Sequence, residues 1–318
     1  MHLIIDSDPI VYRCGFAAER ADYHLVFETP GGEIIEKLFK PGDKQTAGAA
    51  MKKYVDAHKG FTILSKEKIV TPDSEDDALG AVRTQLYSIE KAVREHCRSE
   101  FTEITVILSG PGNYRERLAT IAPYKGNRDS SHKPYWYQSI RNNLTSEWGA
   151  IVVHGREADD EASILAKRCR NAGTEYVIAT IDKDLDQIPG RHYNYLKSVY
   201  YTQSDSDAES FFWRQSLVGD ATDGIPGCYL AGESAGDRFV EQTVSRYLGR
   251  NDRRSIWSAL VQAYERSKTL SGCPYAEKDA AAVALETARL VYLQQEEGEL
   301  WISEGPPHDK LPEYIDAQ

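Results

Sequence analysis

The sequence predicts an α/β fold in which a mostly parallel central sheet, covered by helices, is followed by a helical C-terminal part. Three observations carry that expectation. Four short β-branched runs, too short for helices, are separated by longer segments of helical period, the alternation that produces parallel sheets. Three of these runs lead into carboxylates, and in open α/β sheets the ligand crevice lies outside the carboxyl ends of the strands. After Tyr195 the strand signal fades while helical segments continue.

In chain order, residues 3–5 form the first expected strand. Residues 24–39 alternate apolar positions on both sides of Pro30, Gly31 and Gly32, which predicts an inserted hairpin. Residues 71–77 predict a loop leading into an acidic first helical turn, where Glu75, Asp76 and Asp77 complement the helix dipole. Leu79, Val82, Leu86, Ile89 and Val93 keep helical spacing. Residues 104–108 and 150–153 are the next strands; Ala162, Leu165, Ala166 and Cys169 mark a helix, and residues 176–181 the fourth strand. Residues 200–208 are expected as a connection, followed by helices near 209–218, 234–248, 252–267 and 277–293. Pro306, Pro307 and Pro312 predict an irregular tail. The expected division is an α/β core over 1–208 and a helical part over 209–318.

The 318 residues are 41% hydrophobic and 27% charged, enough chain and an ordinary composition for a substantial globular core. No stretch approaches the roughly 18 consecutive apolar residues of a membrane span. Met1 runs directly into Leu3, Ile4, Ile5 and Asp6, unlike a signal peptide, so a cytoplasmic location is expected. Five scattered cysteines without a C-x-x-C pair point to neither a disulfide framework nor a zinc site. The net charge of −11 disfavours nucleic acid at first sight, because phosphate contact calls for Lys and Arg. The distribution matters more. Residues 110–148 hold Arg115, Arg117, Lys125, Arg128, Lys133 and Arg141 against Glu116, Asp129 and Glu147, a basic island in an acidic chain.

Acids recur in four short motifs: Asp6 and Asp8; Glu157, Asp159 and Asp160; Asp182 and Asp184; Asp220 and Asp223. Were a helix to begin near Ala158, Glu157 and Asp160 would share a face while Asp159 points about 100° from Asp160. A capped helix start explains the same residues equally well. Glu161 is expected to be solvated. Asp182 and Asp184, in an extended segment, would face the same way and grip one cation; a polar turn with Lys183 neutralising one acid is the alternative. Asp220 and Asp223 stand three apart in a glycine-flanked turn, where Asp is common in any case. Taken jointly, oxygen-only donors call for a hard cation, Mg²⁺ or Mn²⁺, and this many carboxylates suit two ions bracketing a phosphodiester. The basic island alternates cations with Tyr114, Tyr124, Tyr135, Trp136 and Tyr137, a pattern suited to single-stranded nucleic acid. Tyr137 and Trp148 also fit the core face of a helix.

These residues resemble the flap endonuclease and 5′-nuclease superfamily, most closely the 5′-to-3′ exonucleases of tailed bacteriophages. The matching elements are Ile5 to Asp8, Tyr124 to Arg128, Glu157 to Asp160, Thr180 to Leu185 and Gly219 to Gly227. The resemblance implies a PIN-like 5′-nuclease fold with a helical arch or gateway at about 110–148. It implies Asp6, Glu157, Asp159 and Asp160 as ligands of a first metal, with Asp8 added from the phage subgroup. Asp182, Asp184, Asp220 and Asp223 would bind a second. It also implies catalytic roles for Arg115, Asp160 and Asp182, and substrate contacts from Tyr114, Arg115, Lys125, Arg128 and Lys133. The implied partner is DNA with a free 5′ end, or an RNA/DNA hybrid, in the host cytoplasm. A helix-turn-helix variant near 217–240 would grip duplex backbone and hold a monovalent cation near 224–235. Two departures stand out: Ser109 occupies the place of a usual Asp, and the duplex-binding turn reads Cys228, Tyr229, Leu230, Ala231, Gly232 rather than the usual glycine-rich signature.

Two other classes compete. A haloacid-dehalogenase-like phosphatase would use Asp6 and Asp8 as nucleophile and acid, with Mg²⁺ at Asp220 and Asp223, but leaves Glu157 to Asp160 and the basic island without a role. A non-catalytic nucleic-acid binding module fits Ser109 but not the eight matched acids.

Overall fold

The computed structural model describes residues 1–42, 45–127, 133–302 and 309–310. The chain opens with β1 (His2–Asp6), α1 (Asp8–Ala17), β2 (Glu19–Glu28), β3 (Ile34–Phe39), α2 (Ala47–Ala57), β4 (Thr62–Pro72) and α3 (Glu75–Cys97). It continues through β5 (Glu103–Ser109), α4 (Tyr114–Leu118), α5 (Tyr137–Trp148), β6 (Ile151–Val153), α6 (Ala158–Asn171), β7 (Tyr176–Ala179), β8 (Gly190–Asn194) and β9 (Val199–Gln203). Then follow α7 (Asp205–Val218), α8 (Glu233–Phe239), α9 (Ser245–Leu248), α10 (Arg253–Lys268), α11 (Ala280–Val291), β10 (Glu299–Leu300) and β11 (Asp309–Lys310). Two compact units result, one of residues 1–9, 89–130 and 145–318, the other of 10–88 and 131–144.

The first unit holds a six-stranded sheet in the order β6-β5-β1-β7-β8-β9, parallel except for the β8–β9 pair. All five residues of β1 are buried. A strand covered on both faces needs no polar alternation, which is why Leu3, Ile4 and Ile5 read as one apolar run. Ile4, Ile107, Val153 and Ile178 form a core with Ala158, Ala162 and Ala166 of α6. A second core packs Trp213 and Leu217 of α7 with Leu260 and Tyr264 of α10 and Val283 and Leu290 of α11. Ser204 caps α7, accepting from the Asp207 amide at 3.1 Å. The mostly parallel sheet and its covering helices agree with the predicted fold class. The four expected strands are all present. Residues 200–203 are a correction: expected as a connection, they lie in β9, where Tyr200 stacks on Tyr193 of β8 at 4.4 Å. Such cross-strand pairing is not visible along one strand.

The second unit holds an antiparallel sheet in the order β3-β2-β4, with α2 packed on one face. β2 and β3 are the expected hairpin. β4 and α2 are additions. β4 carries no buried residue and so lacks apolar alternation, and α2 starts at Thr46, whose side chain accepts from the Ala49 amide at 3.2 Å. α3 opens on Glu75, Asp76 and Asp77, with Val82, Leu86, Ile89 and Val93 fully buried. Pro306, Pro307 and Pro312 lie outside the described residues. Among the described residues no helix is long and apolar enough to cross a membrane.

Candidate active site

β1, β5, β6 and β7 run parallel, so their carboxyl ends share one edge of the sheet. Asp6 ends β1 and Asp8 begins α1; Thr180 and Asp182 follow β7; Glu157, Asp159 and Asp160 begin or precede α6 after β6. Asp220 and Asp223 stand in the turn after α7. That turn is tight because Asp220 and Ile225 exchange backbone hydrogen bonds of 2.9 and 2.8 Å. At Gly219, with φ of 71°, a Cβ would fall 2.2 Å from the Ile225 carbonyl oxygen, so only glycine fits.

Some of these acids are held by the chain's own cations. Asp160 is fully buried and bidentately bonded by Arg115, Nη1 to Oδ2 at 2.6 Å and Nη2 to Oδ1 at 2.8 Å. It also accepts from the backbone amides of Glu157 and Gln294 at 3.1 and 3.0 Å. Glu157 accepts from the Tyr124 hydroxyl at 2.9 Å and from Lys125 Nζ. Burial opposes ionisation of Glu157, but the charges of Lys125 and Arg115 outweigh it and its pKa is lowered. Asp220, likewise buried, is bonded by Lys183 at 3.0 Å and by the Thr222 amide at 2.7 Å. These bonds and the Lys183 charge outweigh desolvation and lower its pKa as well.

For other acids the strongest charges nearby are further carboxylates. Burial, then Asp8 and Asp182, raise Asp6 to about 8. Burial, then Asp6, Asp182 and Glu157, push Asp159 well up. Asp184 rises to about 7 through burial and the nearby Asp182 and Asp220. Asp6 Oδ2 accepts from Thr180 at 2.9 Å, yet its buried Oδ1 has no hydrogen-bond partner among the described residues. Asp8 accepts from the Ser109 amide at 2.9 Å, and the Ser109 hydroxyl accepts from the Ala158 amide at 2.9 Å. Ser109 therefore joins Asp8 to the start of α6.

Several expectations need correction. Asp182 and Asp184 are not extended: Asp182 caps a 3₁₀ turn, accepting from the Asp184 amide at 2.9 Å. Glu161 is buried and paired with Arg156 Nη2 at 2.5 Å rather than solvated. Tyr114 and Arg115, expected to meet substrate, are 1% and 2% exposed. Arg115 also donates to the carbonyls of Leu290 and Tyr292, so its guanidinium is spent on holding Asp160 and the chain after α11. Lys125 does reach the acids, and its amide donates to the Asp223 carbonyl at 2.7 Å. Lys133 lies in the second unit, 4.7 Å from the Tyr137 ring centroid. Arg128 lies outside the described residues.

Two groups escaped the sequence reading, and a third, Lys183, meets an acid the sequence reading did not assign to it. The Tyr124 hydroxyl bridges Glu157 and Asp223, 2.9 Å to each. Gln215 donates to Asp184 at 2.7 Å, and Lys183 ties the 3₁₀ turn to Asp220. Tyr124 carried a signal, its place between the island's cations; Gln215, inside a helix with no motif, carried none.

The donor set is oxygen only, which fits a hard divalent cation, as does the unpartnered, buried Asp6 oxygen. Among the described residues no group of three or more acids, His or Cys is arranged so that it could hold a metal ion as it stands. A cavity of about 20 Å³, bordered by Tyr124, Glu157, Asp159, Asp184, Asp220 and Asp223, lies among the acids. A far larger one, about 740 Å³, lies away from them between α7, α10 and Trp301. Two of its charged pairs are closed, Arg170 with Asp205 and Arg253 with Glu209.

No family model matches the sequence. Among curated proteins, the exonuclease of Escherichia phage T7 is 27% identical over 172 residues, covering 51% of this chain and 57% of that protein. The thermostable DNA polymerase I of Thermus thermophilus is 31% identical over 100 residues, 29% of this chain and 12% of the polymerase. DNA polymerase I of Caldicellulosiruptor bescii is 26% identical over 138 residues, 38% and 16% respectively. The chain thus spans little more than half of the T7 exonuclease and far less of the two polymerases. Among solved structures, T5 5′-exonuclease with bound zinc superposes with a TM-score of 0.41 and 14% identity, covering 66% of this chain and 91% of that one. T5 D15 protein co-crystallised with metal ions gives 0.43 and 13%, covering 91% and 98%. The chain is similar in sequence to a phage exonuclease and to DNA polymerases I, in agreement with the resemblance carried by its motifs.

Proposed function

We propose that the chain is a metal-dependent 5′ nuclease that hydrolyses phosphodiester bonds near free 5′ ends of DNA, as an exonuclease or on flaps. One observation carries this reading: Asp6, Asp8, Asp159 and Asp182 oppose one another at the strand ends, with an Asp6 oxygen buried and unpartnered. Asp6, Asp8, Glu157 and Asp159 would hold one Mg²⁺ or Mn²⁺, and Asp182, Asp184, Asp220 and Asp223 a second; Asp160, expected from the sequence as a further ligand of the first, is instead bonded on both oxygens by Arg115. When bound, such a pair supplies an activated water and neutralises charge on the attacking and leaving oxygens.

The chain's own groups set the stage. Arg115 locks Asp160, and Asp160 in turn fixes the Glu157 amide at the head of α6. Tyr124 holds Glu157 and Asp223 in one arrangement. Lys125, a quarter exposed and beside these acids, is placed to exchange Glu157 for a substrate phosphate. Arg128 and Lys133 remain proposed phosphate contacts, and residues 110–148 the proposed gateway. Residues 209–318, with the turn at 217–240, would grip duplex backbone, and a monovalent cation near 224–235 belongs to the same proposal. The same phosphate chemistry admits the RNA strand of an RNA/DNA hybrid.

The test supplies a 5′-labelled duplex and a flapped duplex, each with Mg²⁺ or with chelator. Metal-dependent release of nucleotides or short oligonucleotides from the 5′ end is the expected result. Release of inorganic phosphate alone would replace this reading with the phosphatase using Asp6 and Asp8, and binding without any cleavage would leave a binding module.

A further inference from the structure

We infer that the α2-covered side of the small sheet in the second unit is a separate, sequence-independent contact surface for the phosphate backbone of nucleic acid. From Lys37 to Lys68 the chain carries eight lysines, no arginine and three acids, within a protein of net charge −11. This is the most basic stretch of comparable length, and it lies outside the proposed site.

Strand register sorts these charges by face. β2 pairs Val26 with Glu36 and His24 with Leu38, and β4 pairs Glu67 with His24. Residues directly opposite share a face, and alternate residues of one strand do too. Glu28, Glu36 and Glu67 therefore lie together on the open face. Leu25 pairs with both Lys37 and Lys66, which puts these lysines on the other face, where α2 packs Met51 against Leu25 and Phe27. Lys37 Nζ stands 3.9 Å from the Tyr54 ring centroid, and Lys66 Nζ 5.8 Å from that of Tyr23.

α2 adds to the same side. It turns Ala47 and Met51 inward and leaves Lys52 and Lys53 exposed, with Lys59 exposed in the turn that follows and Lys40 just after β3. Among the described residues Lys40, Lys52, Lys53 and Lys59 make no ion pair. A surface built only for solubility intersperses both signs, whereas here lysines outnumber the acids on this side, Asp56 of α2 and Glu19, which pairs with Lys68, and four of the lysines are in no ion pair among the described residues. Lysine without arginine offers point charges to phosphate and no bidentate fork for base edges. The exposed Ile34 and Leu38 lie on the acidic face, so the lysines are not backed by the apolar row with which an interfacial segment enters a bilayer.

The choice of DNA as the polyanion rests on the proposed function, so the test measures binding apart from turnover. Fluorescence anisotropy of a labelled duplex, in chelator and across a salt series, compares the full chain with the triple variant Lys52→Glu, Lys53→Glu, Lys59→Glu. The variant is expected to bind at least about tenfold more weakly at 0.1 M salt, and the slope of log K against log salt to shrink by about 2 to 3, near 0.9 per lost phosphate contact. The triple Lys→Gln variant guards against misfolding and should shift the slope the same way. Glu28→Gln with Glu36→Gln on the opposite face should leave the slope unchanged. An unchanged slope in both lysine variants overturns the inference, as does tighter binding to phosphatidylserine vesicles than to DNA that the lysine variants abolish. Loss of slope with no cleavage by the wild type would remove the nuclease reading and keep this surface; cleavage with an unchanged slope would do the reverse.

Discussion

Glu157, Asp160 and Asp220 each sit against a cation that the chain supplies, whereas Asp6, Asp8, Asp159 and Asp182 sit against one another. The two kinds are interleaved along the chain, since Glu157, Asp159 and Asp160 fall within four residues. The difference lies in what each side chain faces after folding. A buried carboxylate beside a fixed cation stays ionised; one beside other carboxylates is pushed toward its neutral form or needs a cation from outside. The internal cations differ as well. Arg115 is sealed in with Asp160, while the Lys183 side chain is 60% exposed and Lys125 25% exposed. A guanidinium with both edges bonded is structural, and a lysine at the rim is exchangeable.

Breaking each half should have distinct consequences. Asp182→Ala, in the self-repelling half, is expected to lower cleavage about a thousandfold or more, the equivalent of about 4 kcal/mol of transition-state stabilisation, with DNA affinity in chelator little changed. Single-turnover kinetics beside anisotropy separate the two. Arg115→Met strands a buried Asp160 and should cost about 3–5 kcal/mol of stability, read from urea unfolding; a cost near zero would mean that the pair is not sealed. Tyr124→Phe removes one hydroxyl shared by two acids, and outer-layer losses of this kind reduce activity about 10- to 100-fold. Its fold should survive, as judged by an unchanged urea midpoint.

The smallest expected effect comes from two buried bases, where the same desolvation acts with opposite sign. His2 and His192 have pKa values lowered chiefly by burial, although Glu103 opposes the shift at His2 and the Ile188 carbonyl opposes it at His192. The unfolded chain takes up these protons near pH 6.5 and the folded chain only at lower pH. The contribution to stability is thus complete above pH 6.5 and lost as pH falls below it, by at most about 1.4 kcal/mol per pH unit for each group. Urea midpoints between pH 7.5 and 5.5 should fall less steeply in His192→Gln than in the wild type.

Much of this layout is legible in the sequence. The apolar runs of β1, β5 and β7 announce strands buried on both faces, and the acids beyond three of the four parallel strands mark the candidate site at their carboxyl ends. What one strand cannot reveal is its partner. β9 is held by Tyr200 on Tyr193, and β4 is an edge strand without a buried residue; neither has the periodicity that burial imprints. The pairing of Arg115 with Asp160 spans 45 residues, and no local pattern distinguishes a cation that will reach DNA from one that will be entombed with an acid. Lys183 was visible as a possible neutraliser, though its main partner is Asp220, 37 residues away, and not its neighbour Asp184.

The central claim is that the self-repelling acids, and not the sealed Arg115–Asp160 pair, take up cations from solution. Mn²⁺ titration of the metal-free chain without DNA, followed by electron paramagnetic resonance, tests it most directly. Asp6→Asn should weaken Mn²⁺ binding at least about tenfold, while Lys183→Met, which removes an internal competitor for Asp220, should not weaken it. Unchanged Mn²⁺ affinity in Asp6→Asn would contradict the claim.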